Sequence, residues 1–167
     1  MDWVCVWFGF SREVERRCWE GTYHTQWWPL IDKRLPQDLA IFIASEVAKG
    51  LDYSHRRKDY NFNNLNLLHG DISPRNIMLS FNGEIKITDF GMAQALSLVP
   101  AIDNEDVIER LLYQAPEVAQ GGPHSQTSDI FGLGLLIYQL LTGSHPYRDD
   151  NPVLVRERAI SANIPPG

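Results

Sequence analysis

Asp71, Asn76 and Asp89 are the residues whose types and spacing point most directly to chemistry. The first two sit in the run Leu68-His69-Gly70-Asp71-Ile72-Ser73-Pro74-Arg75-Asn76, and Asp89-Phe90-Gly91 begins thirteen residues after Asn76. An Asp, an Asn five residues on, and a second Asp brought back by a short hairpin can aim three oxygen-bearing side chains at one centre. Such oxygens suit a hard cation and the phosphates of a nucleotide, so the chemistry they predict is phosphoryl transfer. Residues 1–68 contain nothing like a Gly-rich loop to cradle those phosphates.

The elements around these residues are legible in outline. From Pro36, the residues Leu39, Ile43, Val47 and Leu51 recur every four positions, flanked by Ala40, Ala44 and Ala48. That spacing predicts a helix with one apolar face, with Pro36 in its first turn and its end near His55. Arg56 to Asn66 reads as a basic, Asn-rich surface loop. Ile77 to Leu79 and Glu84 to Ile87 flank Asn82-Gly83, the signature of a two-residue hairpin turn. Residues 92–112 carry no clear period and include Asp103-Asn104-Glu105-Asp106, so an ordered loop is expected there. Thr127 or Ser128 can cap a helix starting near Asp129. Leu133, Leu135, Leu136, Ile137, Tyr138, Leu140 and Leu141 make that helix apolar on every side, which predicts a buried spine ended by Gly143. A last helix is expected over Pro152 to Ala162.

The 167 residues suffice for one domain with a real core, and 44% hydrophobic with 22% charged residues is ordinary for a globular chain. A net charge of -6 disfavours nucleic-acid binding, which needs cations to neutralise phosphates. No stretch reaches the roughly 20 apolar residues that span a bilayer. Met1 to Phe10 carries Asp2 and no basic start, so a secretory leader is not expected. Cys5 and Cys18 form no CxxC pattern, which predicts a reduced, cytoplasmic setting. Of the five histidines, only His69 invites a specific role; the other four read as surface or core filling. Residues 1–28 hold all five tryptophans and both cysteines, and are expected to be an atypical segment distinct from residues 29–167.

Together, His69-Gly70-Asp71 with Asn76, Asp89-Phe90-Gly91, Ala115-Pro116-Glu117 and Asp129-Ile130-Phe131-Gly132-Leu133-Gly134 resemble the C-terminal lobe of a protein kinase. The pattern is most similar to eukaryote-like bacterial serine/threonine protein kinases and covers about residues 35–165, because four motifs in register say more than any triplet alone. The resemblance implies a mostly α-helical fold with a small β-hairpin at the site. It implies ATP and Mg2+ as cofactors and a protein substrate. It implies that Asp71 accepts or orients the substrate hydroxyl proton. Asn76 and Asp89 would hold magnesium against the nucleotide phosphates, Met78 would pack under the adenine, and Asp129 would bond the catalytic-loop backbone from below. His69 and Phe90 would be packing residues.

Departures from the family pattern carry their own expectations. Gly70 stands where an Arg usually precedes the catalytic Asp to receive an activation-segment phosphate. Between Gly91 and Leu112 the only hydroxyl residue is Ser97. Switching by activation-loop phosphorylation is therefore not expected. Ser73 stands where serine/threonine kinases place a Lys, and Arg75 could supply that charge instead, as an Arg does in many tyrosine kinases. Arg75 also replaces the acidic residue of many basophilic kinases, so no basic target motif is inferred. Arg110 occupies the position of a catalytic-loop-facing Thr.

The small lobe, with its Gly-rich loop and its strand Lys paired to a helix Glu, is not recognisable in residues 1–34; Trp3 to Phe8 and Ser11 to Trp19 could be its last strand, hinge and following helix. The expectation is a C-lobe fragment that is inactive alone and is completed by a second polypeptide supplying the small lobe. Glu117 is expected to lack the Arg that pairs with it in the family. Other readings are a catalytically silent kinase-like binding module, an aminoglycoside- or choline-type small-molecule phosphotransferase, and a truncated gene product. The phosphotransferase reading conflicts with Ala115-Pro116-Glu117 and the Asp129 helix start.

Overall fold

The computed structural model describes residues 23–24, 34–80, 82–90 and 104–164. Gly91, Ser97 and nearly all of the Trp-rich segment lie outside them. In order the chain forms β1 (Tyr23–His24), α1 (Gln37–His55), a 3-10 turn (Pro74–Asn76), β2 (Ile77–Ser80), β3 (Ile85–Ile87), α2 (Asn104–Leu112), α3 (Pro116–Ala119), α4 (Gln126–Thr142) and α5 (Pro152–Ser161). Helices dominate, and the strands form one antiparallel sheet in the order β1-β2-β3.

The core lies where α1 meets α4. Helix α1 buries Ala40, Ile43, Val47, Leu51 and Ser54, a spacing that keeps one stripe inward. Leu39 lies off this stripe and is exposed, because the inward row runs through Ala40 rather than its neighbour. Helix α4 buries Leu133, Leu135, Leu136 and Leu140, while Ile130 stays exposed. The helix therefore has an outer flank and is not buried all round. Its start lies earlier than Asp129. Ser125 is the cap: its Oγ accepts from the Ser128 amide, and Ser128 Oγ accepts from the Ser125 amide, a reciprocal capping box. The far end closes on Gly143 at φ 75, as its lack of a Cβ favours.

Strands β2 and β3 pair Ile77 with Ile87, Met78 with Lys86 and Leu79 with Ile85. The Ser80 amide donates to the Glu84 carbonyl at 2.9 Å, and Gly83 sits at φ 79. The turn thus runs between Ser80 and Glu84, one residue longer than the Asn82-Gly83 pair predicts, with Gly83 taking the left-handed position.

The expected loop before Leu112 is in part a helix. In α2, Val107, Ile108, Leu111 and Leu112 share one face, and that helix packs against α5. Leu112 joins the core, with Ile108 and Leu111 packed on it. Helix α5 is capped by Asn151, whose Oδ1 accepts from the Val153 amide.

Candidate active site

Three elements converge on the segment 69–76. The N-terminus of α4 lies beneath it, the β2–β3 hairpin leads out of it and back to Asp89, and α2 lies across from it. The support beneath is Asp129, whose carboxylate is 1% exposed. Its Oδ1 accepts from the Gly70 amide at 2.7 Å, and its Oδ2 accepts from the His69 amide at 2.9 Å and from His55 Nε2 at 2.8 Å. A buried carboxylate needs such donors, and its place in the first turn of α4 adds the favourable end of the helix dipole. Gly132, one turn on, permits close approach: a Cβ there would lie 3.1 Å from the Tyr113 carbonyl oxygen and 3.4 Å from Ile72 Cβ.

His69 is fully buried. Its Nδ1 accepts from the Asp71 amide at 3.1 Å, which leaves Nε2–H to donate to the Thr88 carbonyl at 2.7 Å. Burial lowers its pKa, so the ring is neutral, as that bonding requires. Its ring meets Phe90 edge-on, with centroids 4.7 Å apart. His69 thus ties the loop to the strand that carries Asp89.

Asn76 is anchored to Asp71: its Nδ2 donates to the Asp71 carbonyl at 2.7 Å and to Asp71 Oδ2 at 2.9 Å. Among the described residues nothing donates to Asp71 Oδ1. The Thr88 amide donates to the Asn76 carbonyl at 2.9 Å, which brings Asp89 to within one residue of Asn76 across the hairpin. Asp89 is exposed and adopts φ 61, a left-handed conformation uncommon outside glycine and typical of strained functional positions. Gly70 adopts φ 79 in the same loop. It is therefore a conformational choice as well as a missing cation, since an L side chain there would be strained.

Of the sequence-predicted residues, the fold brings Asp71, Asn76 and Asp89 together on one loop and hairpin. Met78 is buried at the start of β2. Arg75 is about half exposed, with its Nε 3.7 Å from Glu109 Oε2 of α2. Ser73 is 1% exposed, and its Oγ has no partner among the described residues. Glu117 is exposed and makes no ion pair among the described residues. Sequence reasoning missed His55, which is one of the three donors to Asp129 and not mere filling, and it missed Glu109. A polar residue at the buried end of an otherwise apolar helix stripe was the available signal for His55. Glu109 gave none while its segment read as a loop.

Among the described residues no group of three His, Cys, Asp or Glu could hold a metal by itself. The oxygens of Asn76 and Asp89 are hard donors of the kind magnesium takes, a cation that keeps waters and phosphates among its ligands and needs only one or two protein oxygens. No described helix is long and apolar enough to cross a membrane.

A loop fastened to a helix start by Asp129, with Asn76 bonded to Asp71 and a hairpin that returns Asp89 beside it, is the arrangement the protein kinase resemblance implies. The protein kinase domain profile matches residues 18–164, and the chain belongs to that family. Over 122 residues it is 38% identical to the serine/threonine-protein kinase PknA of Corynebacterium glutamicum, covering 73% of this chain and 24% of that protein. Over 126 residues it is 32% identical to the serine/threonine-protein kinase PrkC of Bacillus subtilis, covering 75% of this chain and 18% of that protein. It is also 31% identical over 132 residues to the tyrosine-protein kinase MasK of Myxococcus xanthus, covering 79% of this chain and 20% of that protein. The chain thus spans about a fifth of the length of these bacterial relatives.

Proposed function

We propose that residues 29–167 supply the catalytic lobe of a cytoplasmic protein kinase that transfers the γ-phosphoryl of ATP to serine or threonine hydroxyls of a protein, with residues 1–28 a separate segment. The observation that carries this reading is the Asp129–catalytic loop–Asn76 arrangement, which holds Asp71 with one oxygen bonded and the other open. Asp71 would orient the acceptor hydroxyl and take its proton, a role that depends on geometry. Asn76 and Asp89 would hold Mg2+, which neutralises developing phosphate charge when bound. With Ser73 buried, the loop's cation toward that charge is Arg75, whose terminal Nη groups have no partner among the described residues.

The lobe is inactive alone on this reading and becomes competent with a small lobe that brings the Gly-rich loop and the strand Lys, in a second polypeptide. The serine/threonine preference rests on likeness to PknA and PrkC. Tyrosine is the second reading, favoured by Arg75 and by the likeness to MasK.

The test is radiolabelled phosphoryl transfer from ATP–Mg2+ to casein, by the chain alone and by the chain fused to a kinase small lobe. The expected result is turnover only in the fusion, with phosphoserine or phosphothreonine formed and Asp71→Asn lowering the rate by about a thousandfold or more. Turnover that survives Asp71→Asn would refute the assignment.

A further inference from the structure

We propose that Glu109 substitutes for an activation-segment phosphate: its carboxylate, held by Arg75, docks helix α2 on the catalytic loop without any modification. This rests on the kinase reading of the loop and names the regulation of that same site. Three observations carry it. Gly70, at φ 79, places no cation beside Asp71, so the loop lacks the usual phosphate receptor. Residues 98–112 contain no hydroxyl to modify. Yet the catalytic loop does reach the segment, through Arg75 Nε to Glu109 Oε2 at 3.7 Å.

The geometry of α2 explains why a carboxylate can do this work. Ile108, Leu111 and Leu112 turn to the core, and the helix packs on α5. The segment beyond it is fixed by Tyr113, whose hydroxyl donates to Gln139 Oε1 inside the protein. Glu109 lies one turn before that anchor, on the side of the helix that faces Arg75. Its carboxylate therefore arrives at the catalytic loop as a fixed anion, which a phosphate otherwise provides only after transfer. Glu109 is partly buried, with 27% of its side chain exposed, so Arg75 meets it in a partly desolvated setting. The contact also orients Arg75, which makes Glu109 a positioning residue for the loop's cation. On this view the segment is set constitutively, and its docking responds to salt instead of to a modifying enzyme.

The test is hydrogen exchange by mass spectrometry on the full chain without nucleotide, reading the amides of residues 107–113. Glu109→Gln is expected to speed their exchange about two- to five-fold, the range for a partly exposed pair. The difference from wild type should shrink in about 1 M salt, where the Debye length is near 3 Å. The reversed pair Arg75→Glu with Glu109→Arg should restore protection, whereas Arg75→Glu alone should not. Asp52→Asn, which breaks the surface pair to Arg56, is the control and should leave these amides unchanged. Equal exchange in Glu109→Gln and wild type would overturn the proposal, as would a reversed pair that folds with wild-type circular dichroism yet stays unprotected. Because no ATP is present, loss of this contact and failure of the phosphotransfer reading are separate results.

Discussion

Asp129 is the side chain on which the candidate site depends most, because two oxygens serve three donors with almost no solvent. Two of those donors are backbone amides with no other acceptor among the described residues. Asp129→Ala would bury them unsatisfied, and at about 1–3 kcal/mol each the loss should be roughly 3–5 kcal/mol in a urea melt. Replacing His55 with Ala removes one bond and leaves Asp129 its two amides, so about 1 kcal/mol is expected. Equal destabilisation by the two changes would show that the amide pair is not the main term. This ranking separates what was legible at the residue scale from what was not. Asp129 was readable because its motif, Asp129 to Gly134, carries the kinase resemblance that implies this role. His55 was not, because its partner lies 74 positions away and only the packing of α1 on α4 brings the two together.

At the scale of elements, α4 is the piece that everything else registers against, and two of its glycines do opposite things. At Gly132 a Cβ would press on the Tyr113 carbonyl and Ile72, joining helix, catalytic loop and activation segment at one close contact. At Gly134 a Cβ would meet nothing within 4 Å. Gly132→Val should therefore overpack the junction and cost about 1–3 kcal/mol. Gly134→Ala should stabilise by roughly 0.5–1 kcal/mol through helix propensity and a less free unfolded chain. Opposite shifts in melting temperature check this, and a stabilised Gly132→Val would refute the close-contact account. The apolar pattern made α1 and α4 visible in the sequence, and α5 was expected over Pro152 to Ala162. Helix α2 escaped because its apolar residues, Val107, Ile108, Leu111 and Leu112, span barely two turns behind an acidic run, and the packing surface of α5 that stabilises them is remote in sequence. The hairpin was legible from Asn82-Gly83, but its length was not. One left-handed residue suits several turn types, and the ladder contact from Ser80 to Glu84 decides among them.

Across the whole molecule, the end of the activation segment, the spine and the loop after it meet in a buried aromatic cluster that also sets the response to acid. His145 stacks edge-on against Tyr113 at 4.7 Å and against Tyr147 at 5.7 Å. Its Nδ1 accepts from the Tyr147 amide, and its Nε2 and the Tyr147 hydroxyl are buried without partners among the described residues. Among the described residues no carboxylate compensates a charge there. Burial first, then the nearby Arg148 cation, pushes the His145 pKa down from 6.5 to about 3. The folded state therefore refuses a proton that the unfolded chain takes up below pH 6.5. The stability this neutral ring permits is intact above that value and falls as pH drops toward 3, by about 1.4 kcal/mol for each pH unit. Between pH 6.5 and 4.5 the loss from this residue should be roughly 2–3 kcal/mol, before most carboxylates titrate. His69, lowered by its own burial, acts in the same direction. Replacing His145 with Phe keeps a ring in the cluster and removes the titration, so urea melts across that range should show a slope against pH reduced by about the amount given. A variant that loses stability with acid as steeply as the wild type would show that His145 is not the source.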